Sequence, residues 1–367
     1  VEADSSMHRG TDGKRKKGRR RRYSLLLSVL VPAVFLSLAG CGSGSDNTLG
    51  SPGASGDAGA VSGVSSGGSG NGSENAGNGS GSDQDGSAVS STWKPRTAAS
   101  DLRLPEASGS MTDQNADGSV VLDYSHTDNG YIMLKDTNDK KVQVQITNPS
   151  GDVYPYPLKE GGDYETFPLT GGDGSYSIRV LENISGDQYA IALADDFSVT
   201  LQDEFQPFLY PNQSVYYTAD SEVTALGEKL AGSSKSDLAY VEAVYNYVIQ
   251  NITYDEQLAE STPVNYIPDP DETLQKGTGI CYDYASLMAA LLRSQSVPTK
   301  LVTGYSGKAY HAWVSVYLQD KGWVDGIIYF DGKNWTLMDP TLGANNDSKA
   351  VAKYVGDGSN YTEKYEY

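Results

Sequence analysis

Three side chains have the types and the order to carry out nucleophilic chemistry. Cys281 lies in Gly277-Thr-Gly-Ile-Cys-Tyr-Asp-Tyr-Ala285, where a helix should begin. A helix start offers N–H groups and a positive field that favour a thiolate over a thiol. The same N–H groups can receive an oxyanion when sulfur attacks a carbonyl. His311 stands at the start of a strand, in Tyr-His-Ala-Trp, and Asp339 ends another, just before Pro340. If these two strands pair as neighbours, His311 and Asp339 lie side by side, and Cys281 faces His311 from the helix end. A thiolate, an imidazole that moves its proton and a carboxylate that orients the imidazole make a triad. Taken singly, each residue has a plainer reading: a small core Cys, a structural His among aromatics, an Asp closing a turn. Their combination is what points to chemistry.

The elements that must position these residues follow from periodicity. Val223, Leu226 and Leu230 are spaced for one short helix. In 237–252, Leu238, Val241, Tyr245, Val248 and Ile252 share a helical face, with Ser236 or Asp237 as cap. A Pro-rich loop spans 263–270, and a third helix runs from about 282 to 296, stopping at Pro298. Strands follow at 299–305, 310–317, 323–330 and 334–338, the last two joined by an Asp331-Gly332 hairpin turn. Helices followed by antiparallel strands make an α+β domain, placed at 219–345, with 346–367 as a C-terminal tail. Upstream, 141–147, 174–181, 189–194 and 197–201 alternate apolar and polar residues between turn signals. That pattern predicts a small β-sandwich over 93–218. No chemistry is evident there. His126 reads as a solvated strand-end residue. Asp113-Gln-Asn115-Ala-Asp117-Gly118 matches the first half of a calcium loop, but position 12 is Tyr124 where a bidentate Glu is needed, so a polar turn is the better reading.

The segments Gly279–Cys281–Ala285, His311-Ala-Trp313 and Asp339-Pro-Thr341 resemble the transglutaminase-like domain of the papain-type cysteine superfamily. The resemblance covers about residues 220–345. It implies a papain-like α+β fold with Cys281 as nucleophile, His311 as base and acid, and Asp339 as orienter. It also implies acyl transfer from an amide carbonyl to an amine or to water. Tyr282 stands where animal transglutaminases carry Trp, and the chain looks closer to the compact bacterial members. Gln275 lies six residues before Cys281, the offset of the oxyanion-hole Gln in papain-like proteases. Tyr282, Tyr284 and Trp313 are expected to line the cleft.

The first forty residues read as an address. Nine Lys/Arg lie within 1–22, and an uncharged, mostly apolar run follows from Tyr23 to Gly40. Leu38-Ala39-Gly40-Cys41 resembles the lipobox of bacterial lipoproteins, which implies diacylglycerol on Cys41 and cleavage just before it. An uncleaved anchor is the other reading, against which Pro32 and the short apolar run argue. Residues 42–92 hold 15 Gly and 14 Ser, with no aromatic, Lys or Arg. Such a segment is a disordered tether reaching about 40 Å.

Without residues 1–22 the chain carries 19 basic against 44 acidic side chains, a balance that repels phosphate backbones and argues against nucleic acid. Two Cys and three widely spaced His leave no basis for a disulfide scaffold, a zinc site or another metal centre. No cofactor is expected. The expected partners are a protein or peptide substrate, with a cell-wall association in view, and the membrane through Cys41. The expected location is extracytoplasmic, at a bacterial cell surface. The rival to an enzyme is a non-catalytic binding or scaffold lipoprotein with an unused triad.

Overall fold

The computed structural model describes residues 102–159, 161–319, 321–324, 327–330, 335–338 and 361–367, with only the backbone described for 327–330 and 335–338. The address, Cys41, the tether, the Asp331-Gly332 turn and Asp339 lie outside the described residues.

The first region is all β. Its strands are β1 (Thr112–Gln114), β2 (Val120–Asp123), β3 (Tyr131–Asp136), β4 (Val142–Thr147), β5 (Val153–Leu158), β6 (Glu165–Pro168), β7 (Gly174–Ser185) and β8 (Gln188–Val199). They form two four-stranded antiparallel sheets, ordered β1-β2-β3-β6 and β5-β4-β7-β8. Alternation decides which residues turn inward: Val142, Val144 and Ile146 are buried while Gln143 and Gln145 are partly exposed. Each fully buried aliphatic side chain contributes on the order of 1.5–3 kcal/mol. The run 189–194 and the start of the run 197–201 belong to one strand, β8, which ends at Val199 and whose Asp195 and Asp196 pair across to Ile178 and Ser177. Acidic residues are tolerated there because β8 is an edge strand facing water. The opposite edge, β5, carries Pro155 and Pro157, which lack the N–H a further strand would need. The calcium-like motif folds onto itself between β1 and β2. Asp117 accepts from the Ser119 N–H (3.0 Å) and hydroxyl (2.6 Å), and Asn115 accepts from the Val120 N–H at 3.1 Å. His126 is half-buried and stacked on Tyr131.

The second region holds α1 (Glu222–Gly232), α2 (Asp237–Asn251), β9 (Thr253–Tyr254), α3 (Glu256–Ser261), α4 (Pro270–Lys276), β10 (Thr278–Gly279) and α5 (Cys281–Ser294). It continues with β11 (Thr299–Ser306), β12 (Ala309–Leu318), β13 (Gly322–Val324), β14 (Ile327–Phe330), β15 (Trp335–Met338) and β16 (Tyr361–Glu366). Ser236 is the cap of α2, accepting from the Ala239 N–H at 3.2 Å. Helix α4 replaces part of the expected loop. Asp269 caps it by accepting from Asp271 and Glu272, and Pro270 takes the first helical position, where its missing N–H costs nothing.

Helix α5 is the axis of this region. It packs against α1, α2 and α4 and against β11 and β12. The sheet runs β13-β12-β11-β16, with β14 and β15 as a separate antiparallel pair. Two expectations change here. The run 323–330 is two strands in different sheets, one ending at Val324 and the other beginning at Ile327. Consequently β15, the strand leading to Asp339, pairs with β14 and not with β12. Within the stretch read as a tail, β16 closes the sheet against β11.

Candidate active site

Cys281 is the first residue of α5 and is 3% exposed. The turn before it is fixed by four contacts. Thr278 and Gly279 pair in parallel with Thr253 and Tyr254. The Asp255 N–H donates to Gly279 O at 3.0 Å. Asp283 accepts from the Ile280 N–H at 2.8 Å, and the Tyr266 hydroxyl donates to the other Asp283 oxygen at 2.8 Å. Gly279 has no substitute here, because a Cβ at this position would sit 2.6 Å from that of Asp283. Asp283 is 1% exposed, and burial lifts its carboxyl to about 6. The loop containing Tyr266 is thereby tied to the turn that presents the thiol.

His311 is 7% exposed on β12, the strand on which α5 packs. Its ring stacks on Trp313 at 6.4 Å and meets Tyr361 of β16 at 6.3 Å; Trp313 and Tyr361 meet edge-on at 5.1 Å. Gly304 of β11 pairs directly opposite His311. A Cβ there would fall 2.0 Å from Thr362 O, so only glycine lets β16 close in beside the histidine strand.

The remaining site expectations divide. Tyr282 is half-buried, and its hydroxyl lies 2.9 Å from that of Ser214. Together with Tyr310, the chain neighbour of His311, it lines a cavity of about 90 Å³. Burial raises the Tyr310 hydroxyl to about 12, with a small contribution from Cys281. Tyr284 is a core residue instead of a cleft residue: it is fully buried and donates to Ile252 O at 2.7 Å, tying α5 to the end of α2. Trp313 is buried against His311 and Tyr361. Gln275 is exposed, and its amide donates to Glu222 of α1 at 3.1 Å, so this arrangement commits it to the surface and not to an oxyanion.

Sequence reasoning missed the Tyr266–Asp283–Ile280 linkage. An Asp at the third position of a helix was its available signal. It also missed the loop 212–214, which splices the β region to α5. There Gln213 donates to Pro157 O at 2.6 Å and to Glu165 at 2.7 Å, while Ser214 O accepts from the Ser286 hydroxyl at 2.6 Å. Among the described residues no group of three His, Cys, Asp or Glu is placed to hold a metal ion.

The thiol thus stands at the start of α5, and α5 packs on the strand that carries the buried His311. Residues 224–325 match the model of the transglutaminase-like superfamily. The chain carries a transglutaminase-like domain. A Mycobacterium leprae (strain TN) protein, ML0607, is 26% identical over 52% of this chain and 63% of its own length. YebA of Bacillus subtilis (strain 168) is 29% identical over 37% of this chain and 19% of its own length. The chain therefore spans less than two thirds of either relative. The periplasmic domain of TgpA from Pseudomonas aeruginosa superimposes with a TM-score of 0.27 at 15% identity, over 50% of this chain and 75% of that one. The transglutaminase-like domain here has its α5 helix wedged between α1, α2 and α4 on one side and the sheet on the other.

Proposed function

We propose that the protein is an extracytoplasmic, lipid-anchored cysteine enzyme that transfers acyl groups from a protein or peptide amide through a Cys281 thioester. The observation that carries this reading is the position of Cys281 at the first turn of α5, packed on the His311 strand. The Cys281 thiolate attacks the amide carbonyl, and the main-chain N–H of Cys281 helps to hold the oxyanion. His311 protonates the leaving amine, and Asp339 orients His311. An amine or water then resolves the thioester, which makes the enzyme a cross-linking transferase or a peptidase. The basic start, the apolar run and Leu38-Ala39-Gly40-Cys41 support export and anchoring through Cys41. Among the described residues no helix is long and apolar enough to cross a membrane.

Titrating Cys281 tests this reading without a known substrate. The full chain is alkylated with limiting iodoacetamide from pH 4 to 9 and read by intact mass, with His311→Ala and Asp339→Ala alongside. Fast alkylation near pH 5–6 that depends on His311 supports a thiolate–imidazolium pair. A thiol titrating near the ordinary value of about 8.5 in all three chains overturns it. The second reading, a binding or scaffold lipoprotein, is favoured by one observation: both Cys281 and His311 are buried. An unreactive thiol at every pH would make that reading the leading one.

A further inference from the structure

Helix α5 begins with an apolar cap residue. Ile280 has no side-chain acceptor, where Ser, Thr, Asp or Asn would ordinarily bond the first-turn N–H groups. The helix start is gripped from within instead. Asp283, in the first turn, accepts from the Ile280 N–H with one oxygen and from the Tyr266 hydroxyl with the other, each at 2.8 Å. Burial, and then the carboxylate beside it, raises the Tyr266 hydroxyl above its ordinary value, so it stays protonated and donating. The charged side chains acting on Asp283 are Glu272 and Lys276 of α4, and these pair with each other.

The residue so held is the one that delivers the thiol. Ile280 is extended, with φ −94° and ψ 178°. That ψ sets the plane of the Ile280–Cys281 peptide, and with it the direction of the Cys281 N–H. Gly279 leaves the space the carboxyl occupies: a Cβ there would meet the Asp283 Cβ at 2.6 Å and the oxygen that holds Ile280 at 3.0 Å. A Ser or Thr cap would stabilise the helix without burying a carboxylate, which is costly unless each oxygen is bonded.

We infer that Asp283 is a positioning residue for attack by Cys281: it holds Ile280 extended through its N–H, is itself held by Tyr266, and so aims the Cys281 main-chain N–H at the oxyanion formed when the thiolate adds to a carbonyl. The inference rests on the proposed acyl-transfer reading and adds to it a residue that acts through the main chain.

The test compares two reactions of Cys281 in the full chain at pH 7.5, each read by mass on the peptide that contains Cys281. In alkylation by iodoacetamide, Sγ bonds the methylene carbon, iodide leaves and no oxyanion forms. In acetylation by p-nitrophenyl acetate, Sγ bonds the carbonyl carbon, an oxyanion forms, and p-nitrophenolate leaves as it collapses. Both reactions consume the same thiolate, so their ratio cancels any change in the thiolate fraction. Asp283→Ala should lower the acetylation-to-alkylation ratio at least tenfold, against the roughly 10²–10³-fold lost when an oxyanion donor is removed outright. Asp283→Asn keeps an oxygen for the Ile280 N–H and should recover most of that loss. A ratio as low as that of Asp283→Ala would place the effect on the charge instead of the Ile280 bond and overturns the inference. Tyr266→Phe frees the carboxyl without removing it and should lower the ratio about threefold; it decides the matter should circular dichroism show Asp283→Ala unfolded. Ratios equal to wild type in the folded variants make Asp283 a helix cap only and overturn the inference alone. Alkylation that does not depend on His311 overturns the acyl-transfer reading, and the inference falls with it.

Discussion

The two ends of α5 each bury a charged side chain, and they handle it differently. At the C-terminal end Arg293, 1% exposed, donates to main-chain oxygens of three separate segments: Thr299 at 2.8 Å, Tyr210 at 2.9 Å, and Tyr367. Burial lowers its pKa to about 10, so it remains charged at neutral pH. At the N-terminal end Asp283 has two donors, Ile280 N–H and Tyr266 OH, and burial lifts it to about 6, within reach of ordinary solution pH. Both charges suit the helix dipole. The difference teaches that the C-terminal end is a clamp, saturated and insensitive to pH, whereas the end carrying Cys281 is held by a group that titrates. The clamp gathers the segment at Tyr210, the sheet and the end of β16; the titrating end fixes the turn in front of Cys281 and the loop that carries Tyr266.

Breaking the clamp should have the largest effect. Arg293→Ala takes this donor from the Thr299, Tyr210 and Tyr367 oxygens, of which Tyr367 O keeps the Leu301 N–H, and is expected to cost roughly 3–5 kcal/mol in urea unfolding. Arg293→Met keeps more of the volume and should fall lower in that range; a loss below 1 kcal/mol for both would erase the contrast. At the other end the signature is a pH dependence. The folded-state pKa of Asp283 lies above the unfolded value of about 3.9, so its contribution to stability is fully present below about pH 4 and is lost as pH rises through 6. Wild type should therefore lose about 2 kcal/mol more than Asp283→Asn between pH 4 and pH 7. Parallel stability curves would show that the carboxyl is not perturbed. Next comes His311→Ala, expected to slow alkylation of Cys281 at pH 6 by about 100-fold as the thiol returns toward its ordinary pKa, with the Arg293 end undisturbed. Smallest is Gln275→Ala, which removes one exposed hydrogen bond to Glu222 and should stay within about 0.5 kcal/mol of wild type with unchanged alkylation. A large kinetic effect of Gln275→Ala would return that residue to the site.

What was legible in the sequence was whatever periodicity encodes. The face of Leu238, Val241, Tyr245 and Val248 gave α2, and strict alternation gave β4 and β7. Cys281 at a helix start followed from Gly279 and the apolar run behind it. Where reading failed, a local signal pointed two ways. Pro270 signals a break in a helix and equally the first position of one, and only the cap by Asp269 decides. Long-range pairing leaves no local trace: the choice of β14 as partner for β15, and of β11 for β16, is made in three dimensions. Gln275 sat at the offset of a known oxyanion donor, yet α4 turns its side chain toward α1. Tyr156 carries no local signal of its place, since nothing in its neighbours announces a wall shared with another region.

The late arrival of β16 sets an order of events. Cys281 and His311 emerge from the ribosome well before Tyr361. Until Tyr361–Glu366 docks, β11 has an open edge, His311 lacks one of its two aromatic walls, and Arg293 lacks the Tyr367 oxygen. Closing so long an intervening stretch of chain is a slow, non-local step. Cys281 and His311 are thus synthesised early, while the strand that closes the sheet beside His311 comes last among the described elements.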